Sequence, residues 1–277
     1  MDNKKRVCLC ITGVPRLYKF TSRNIFENLI NINQNYEFDF IMCIQLENIN
    51  DTTYQQFSNK YNINDILDIY KPKIYEIKND GYQYDKLYRC VQLKNEYEEK
   101  NKFKYDLVMK IRFETYFFEK LLLDNFIDIE DNEIIVSTNP SRNYDIQCGL
   151  YNYTYAYINK IINENTYYEY IFKNRNEINH NLRITDQFIT TSNGVNFIIK
   201  LIENINYHLI VFKDKINIAH EAYLYIGTLI NKMKYRVYDF RIDLCHTAIY
   251  YNFENHIHYT KEFQEKVRKL KYDGSIS

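Results

Sequence analysis

Residues Tyr105–Glu114 read YDLVMKIRFE. Leu107, Val108, Met109 and Ile111 form an apolar run that stops at Arg112-Phe113-Glu114. A short apolar run bounded by polar residues suits a strand buried on both faces of an α/β sheet. Arg112 and Glu114 are separated by one residue at the carboxyl end of that strand, which puts both side chains on one face. Open α/β sheets bind ligands at that edge. The pair offers a guanidinium for a phosphate and a carboxylate for a divalent metal. The plainer alternative is an ion pair at a strand end.

Outward from this stretch, the N-terminal half alternates. Residues 7–12 read as a first strand, punctuated by Gly13-Val14-Pro15-Arg16. Ser22 is placed to cap a helix whose apolar face is Ile25, Phe26, Leu29 and Ile30. Residues 38–44, FDFIMCI, are a second buried strand. Residues 51–70 look helical in two pieces, broken near Asn62. Pro72 opens a short strand over 73–77, with either Ile74 and Glu76 or Tyr75 and Ile77 facing inward. Residues 84–99 are amphipathic, with Leu87, Tyr88, Val91 and Leu93 near one side. Strands alternating with helices predict a doubly wound α/β fold with a mainly parallel sheet flanked by helices.

Past Glu114 the pattern becomes more helical. A short strand is expected over 133–137. Residues 144–149 lead into a long tyrosine-rich helix over 151–173, followed by a polar loop over 174–181. A further helix runs from about Thr185 to Asn204, interrupted near Asn193-Gly194. Another covers 217–233, and a late strand 235–240. The tail over 261–277 is charged. No repeat or linker divides the chain, so a single domain over 1–277 is expected.

Composition narrows the class. A chain of 277 residues, 45% hydrophobic and 26% charged, can bury a proper core. Its formal net charge of zero argues against a general nucleic-acid binder. The 29 tyrosines come with an Asn-, Ile- and Lys-rich bias typical of AT-rich coding, which weakens any argument from tyrosine alone. The six cysteines, at 8, 10, 43, 90, 148 and 245, show no C-x-x-C pair and no zinc spacing. They read as reduced thiols of a cytoplasmic protein. The N-terminus lacks a signal-peptide pattern, and no apolar stretch reaches the roughly 18 residues that span a bilayer.

Several residues could carry chemistry. Gly13 with Arg16, Lys19 and Arg23 gives a small basic cluster after the first strand, and backbone N–H groups with Arg are the usual receivers of phosphate. The loop is neither G-x-G-x-x-G nor a P-loop. The alternative is a strand-to-helix turn with solvated basic residues. Lys86, Arg89 and Lys94 add positive charge to the helix before the central strand, as an ordinary helix surface would. Asp186, in Asp186-Gln187-Phe188, and Glu221, in His220-Glu221, sit where helix capping competes with a functional role. His256 and His258 join no metal pattern. The hydrolase elbow, zinc-protease, EF-hand and kinase motifs are absent.

The order of these pieces carries a resemblance. Strand and T-G-x-P-R, a helix with Tyr88-x-x-x-Gln92, then YDLVMKIRFE, T-D-Q-F around Asp186 and H-E at 220–221 follow one another. This is similar to small nucleotide-sugar glycosyltransferases of large DNA viruses and bacterial surface-polysaccharide loci, whose pattern is S-G-x-x-R, then Y-D-x-V-x-x-x-R-x-D, then D-Q. The resemblance covers most of residues 5–240. It implies a GT-A-like, Rossmann-type fold, with a nucleotide-binding half over 5–115, an acceptor-side half over 116–250 and a tail over 251–277. It places Thr12, Gly13, Arg16, Lys86 and Arg112 at a nucleotide-sugar donor and Glu114 at a divalent metal, Mn²⁺ or Mg²⁺. Asp186 and Glu221 become candidates for the catalytic carboxylate near a glycan acceptor. A homodimer is compatible with this reading. The chain departs in Glu114, where the pattern has Asp, and in Thr12, where it has Ser. The competing readings are a non-catalytic glycan- or nucleotide-binding module, a nucleotidyltransferase, and a membrane-surface protein anchored by the tail KEFQEKVRKLKY.

Overall fold

A computed structural model describes residues 4–46, 61–81, 83–117, 119–136, 152–153, 156–157, 160–181, 187–200, 228, 233–238 and 242–243. Its contacts divide the chain into two compact units. The first holds Met1–Asp106, Lys110–Asp128 and Phe240–Ser277, and the second Leu107–Met109 and Ile129–Asp239. The architecture is α/β, with a mainly parallel, mixed sheet and flanking helices.

In the first unit, β1 (Lys5–Gly13), β2 (Tyr36–Ile44) and β3 (Ile74–Ile77) lie in the order β3-β2-β1, and β4 (Leu107–Ile111), the next strand of the sheet, has only its end, Lys110–Ile111, in this unit. β1 runs parallel to β2, and β2 to β3, so Gly13 aligns with Ile44 and Ile44 with Ile77 at one edge. The Asp106 N–H donates to the Arg6 carbonyl and the Arg6 N–H to the Asp106 carboxylate, which sets the start of β4 beside the start of β1. The ends of β1 and β4 therefore share the carboxyl edge. Val7 to Ile11 have no exposed surface, which explains their unbroken apolar run in a strand covered on both faces.

The helices pack on this core. α1 (Tyr18–Ile25) continues into a π-helical turn, Phe26–Ile30, and buries Ile25 and Leu29 as its spacing predicts. Ser22 does not cap it. The helix starts four residues earlier, after Leu17 turns the chain in the left-handed region at φ 53°, and the Ser22 hydroxyl donates to the Lys19 carbonyl inside the helix. α2 (Ile63–Tyr70) is capped by Asn62, whose side chain accepts from the Asn64 N–H, at the break read from the sequence. Residues 51–60 of that prediction lie outside the described residues.

α3 (Gln83–Asn101) buries Leu87, Cys90, Val91 and Leu93 but also Lys94 and Glu98. The Lys94 ammonium lies 2.9 Å from the Glu98 carboxylate. Glu98 also accepts from Lys104 Nζ at 3.0 Å and the Tyr105 N–H at 2.9 Å, so one carboxylate closes the connection from α3 into β4. In β3, Ile74 and Glu76 are half-buried while Tyr75 and Ile77 are exposed, which settles the inward face.

In the second unit, Leu107–Met109 of β4 is followed in the sheet by β7 (Phe188–Thr190), β6 (Glu133–Val136) and β8 (Lys234–Val237). β6 is antiparallel to β7 and parallel to β8. Two expectations are corrected here. The helix read from about Thr185 begins instead with the strand β7, because Phe188 and Ile189 are wholly buried against β6 and the Thr190 hydroxyl donates to the Glu133 carbonyl. Thr191 then caps a helix over 192–200 by accepting the Gly194 N–H, so Asn193-Gly194 is a first turn rather than an interruption. The polar stretch 174–181 is not a loop. It is the end of α4 (Glu164–Asn181), which starts where Asn163 accepts the Thr166 N–H. The two-residue strands β5 (Thr115–Tyr116) and β9 (Ile242–Asp243) pair antiparallel in the first unit. Among the described residues no helix is long and apolar enough to cross a membrane. The helix expected over 217–233 and the tail over 261–277 lie largely or wholly outside the described residues.

Cys8, Cys10, Cys43 and Cys90 are buried free thiols. Burial raises the Cys43 thiol to about 11. A thiol raised on folding stabilises the fold below its ordinary value of about 9, and that contribution is lost as pH climbs to about 11. Two outcomes follow. In native protein at pH 8, maleimide leaves these four thiols unmodified by mass spectrometry, and they react after denaturation. Glu98→Gln, which removes the carboxylate charge beside the buried Lys94 ammonium, lowers stability by about 3 kcal/mol or more in urea unfolding; an unchanged midpoint would contradict this role for the pair.

Candidate anion-binding site

The carboxyl edge of β1 is shaped by backbone constraints. Gly13 has φ 104°, which an L side chain rarely adopts, and a Cβ there would lie 3.3 Å from Gln83 Oε1. Gln83, at the start of α3, donates from Nε2 to the Thr12 hydroxyl at 3.2 Å. The Gly13 carbonyl accepts the Gln45 N–H that follows β2. The chain then turns tightly, with the Arg16 N–H donating to the Val14 carbonyl at 2.8 Å before Leu17 leads into α1. Arg16, in this turn, is almost fully buried.

The end of β4 is held by a second turn. The Arg112 N–H donates to the Thr115 hydroxyl at 2.9 Å, and the Thr115 N–H to the Arg112 carbonyl at 3.2 Å. The backbone beyond has left the large sheet, so its polar groups need partners elsewhere. Side chains of α1 and the turn after it supply them. Thr21 donates to the Phe113 carbonyl. Asn24 clamps Phe117 from both sides, donating to its carbonyl at 3.0 Å and accepting its N–H at 2.7 Å. Asn28 donates to the same carbonyl. Asn33 donates to the Leu121 carbonyl and accepts the Leu123 N–H. Phe113 packs edge-on against Tyr70 of α2.

These two turns set Arg16, Arg112 and Glu114 together. Arg112 Nη2 lies 2.8 Å from Glu114 Oε1, and Arg16 Nη1 lies 3.5 Å from the same oxygen. The Glu114 side chain is 2% exposed and that of Arg16 6%, while Arg112 retains 24%. One carboxylate therefore faces two guanidiniums, of which Arg112 is the one that reaches solvent. The ion pair weighed for Arg112 and Glu114 forms, with Arg16 added to it. Such a trio can receive an anion through the forked donors of Arg112.

The other predicted residues are distributed as follows. Thr12 and Gly13 stand at the same edge, engaged with Gln83. Lys86 is buried, and its ammonium donates to the carbonyls of Asp80 and Gly81, stapling the loop before α3. Desolvation lowers its pKa. The basic cluster seen in sequence disperses: Lys19 pairs with Asp65 and Arg23 with Glu27 on the exposed surface, and only Arg16 turns inward. Arg89 pairs with Glu76 and Glu96. Asp186, Glu221, His256 and His258 lie outside the described residues.

The donor set at Glu114 does not fit the divalent metal that the resemblance implies. Mg²⁺ and Mn²⁺ favour about six oxygen-type ligands. Glu114 Oε1 instead meets two guanidiniums, which would repel a cation at that oxygen. Among the described residues no three His, Cys, Asp or Glu side chains group in a way that could hold a metal ion.

Sequence reasoning missed Thr21, Asn24, Asn28, Asn33 and Gln83. Thr21, Asn24 and Asn28 follow one another at spacings of three and four, a polar stripe on one helix face. In an Asn-rich chain such a stripe does not stand out. No protein-family model matches the chain, and no curated protein matches it.

Asn24→Ala removes the side-chain acceptor of the buried Phe117 N–H and one of the two side-chain donors to its carbonyl, Asn28 keeping the other. It is expected to lower stability by about 1–3 kcal/mol, read as a drop in the urea midpoint. A midpoint equal to wild type would show that the segment after β4 does not depend on α1.

Proposed function

We propose that the chain is a glycosyltransferase of GT-A-like fold, moving a sugar from a nucleotide-sugar donor to a glycan acceptor. The donor's diphosphate would bind at the carboxyl edge of β1 and β4. One observation carries the reading: Arg16 and Arg112 converge on a single buried carboxylate at the sheet edge where α/β folds take their ligands. The order of motifs along the chain supports it independently, since the same Arg16 and Arg112 stand in the T-G-x-P-R and R-x-E elements.

The chemistry asks for these residue types. Breaking the bond between sugar and nucleotide leaves negative charge on a diphosphate oxygen, and positive groups already fixed in place stabilise that charge without reorganising. Arg112 is accessible enough to touch the diphosphate, and the buried Arg16 adds charge from beneath it. Thr12, with Gln83 beside it, and the Gly13 turn would border the nucleotide. A transfer with inversion also needs a carboxylate to take the proton of the acceptor hydroxyl, and Asp186 and Glu221 are the candidates.

The test is a panel of UDP-, GDP-, CMP- and dTDP-sugars scored for donor hydrolysis and for transfer to glycan acceptors. One donor is expected to be turned over. Arg112→Ala should lower kcat/KM for it by about a hundredfold or more, on the scale of losing a fixed donor to a developing oxyanion. Tight donor binding without turnover would favour the binding module instead. Release of pyrophosphate from a nucleoside triphosphate would favour a nucleotidyltransferase.

A further inference from the structure

An ammonium buried in the first turn of a helix is disfavoured twice, by the loss of water and by the positive end of the helix dipole. Lys86 is such a group: it lies in the first turn of α3 and is 1% exposed. Desolvation lowers its pKa accordingly. We infer that Lys86 is a positioning residue for the nucleotide, acting through Gln83 at the Thr12–Gly13 edge rather than by touching a phosphate. The inference rests on the nucleotide-binding part of the function proposed above and departs from the resemblance, which puts Lys86 at the donor itself.

Three observations carry it. First, Lys86 Nζ donates to the Asp80 carbonyl at 3.0 Å and to the Gly81 carbonyl at 2.8 Å, so the charge is turned back onto the loop between β3 and α3. The start of that loop is fixed from β2: the Lys78 N–H donates to the Ile44 carbonyl at 2.8 Å, and the Asn79 side chain accepts the Leu46 N–H at 3.0 Å. Lys86 holds the other end, where the loop enters α3. Second, the loop folds tightly onto that helix. Gly81 has φ 79°, and a Cβ there would lie 2.6 Å from Asp85 Oδ2. Third, Gln83 and Lys86 are three residues apart and share one face of α3. Gln83 Nε2 donates to the Thr12 hydroxyl at 3.2 Å, and a Cβ at Gly13 would lie 3.3 Å from Gln83 Oε1. A shift of the loop end therefore moves the side chain that rests on Thr12 and Gly13. Asp80 and Gly81 are themselves exposed, so water can replace the ammonium at their carbonyls. Losing Lys86 then loosens the loop without unfolding the core.

The experiment is a double-mutant cycle on the full chain, read by isothermal titration with UDP, GDP, CMP and dTDP and by hydrogen exchange with mass spectrometry. One of the nucleotides is expected to bind. Lys86→Met and Gln83→Ala should each weaken it by about tenfold, the scale of losing a hydrogen bond to a charged group or a fixed contact. Because Lys86 acts through Gln83, the double variant should fall within about twofold of the weaker single variant. Lys86→Gln, which keeps a donor for one loop carbonyl, should bind better than Lys86→Met. Exchange over residues 78–83 should quicken in Lys86→Met, and over residues 12–16 in both single variants. Losses that multiply in the double variant would show that Lys86 meets the ligand on its own, and would overturn the inference. So would a Gln variant no better than Met, or exchange over 12–16 that Lys86→Met leaves unchanged. Nucleotide binding that Lys86→Met leaves intact would sink the inference and leave the transferase reading standing. A wild-type chain that binds none of the four, with exchange over 12–16 quickened in both variants, would sink the transferase reading and leave the link from Lys86 through Gln83 to Thr12 in place.

Discussion

A backbone that leaves a sheet loses the partners for its N–H and C=O groups, and a buried segment cannot leave them unmet. That constraint governs the stretch after β4. Phe113, Phe117, Leu121 and Leu123 are all buried, and four polar side chains from α1 and the turn after it, Thr21, Asn24, Asn28 and Asn33, replace the sheet for their backbone. α1 is thereby tied along its length to the chain that follows the central strand. The same helix begins just after Arg16, so tying it down also fixes where Arg16 meets Glu114. The site is a consequence of how the fold satisfies its backbone.

The electrostatics of that site follow from a count of charges. Elsewhere in the first unit the buried carboxylate of Glu98 is matched by Lys94 and Lys104 and also accepts a backbone N–H, which ties α3 to β4. Glu114 is likewise faced by two cations, but at the carboxyl edge of the sheet and with one guanidinium still reaching solvent. Similar chemistry thus serves two ends of one unit. At Glu98 it closes a connection, and at Glu114 it holds two guanidiniums at the end of the central strand.

Much of the fold was legible because its central strands are largely buried. β1, β2 and β4 announce themselves as apolar runs, and the Asn62 cap of α2 fell where the pattern broke. The misreadings have physical reasons. Residues 174–181 close a helix, and composition alone made them look like a loop. β7 is three residues long, too short for its period to show, and its identity comes from pairing with β6. At the site, sequence placed Arg112 and Glu114 on one face and Arg16 near them. It could not tell that Lys19 and Arg23 turn outward while Arg16 turns in, or that Lys86 is consumed by two backbone carbonyls. Such choices are made by tertiary contacts that no local pattern encodes.

The central claim is that a diphosphate rests on Arg112, over Arg16 and Glu114. It is tested most directly by a crystal structure of the full chain grown with a nucleoside diphosphate in EDTA. The account predicts phosphate oxygens within hydrogen-bond distance of the Arg112 guanidinium, with the Glu114 carboxylate still held between the two arginines. A diphosphate bound away from this edge, or Glu114 swung out to ligate a metal when Mn²⁺ replaces EDTA, would contradict it.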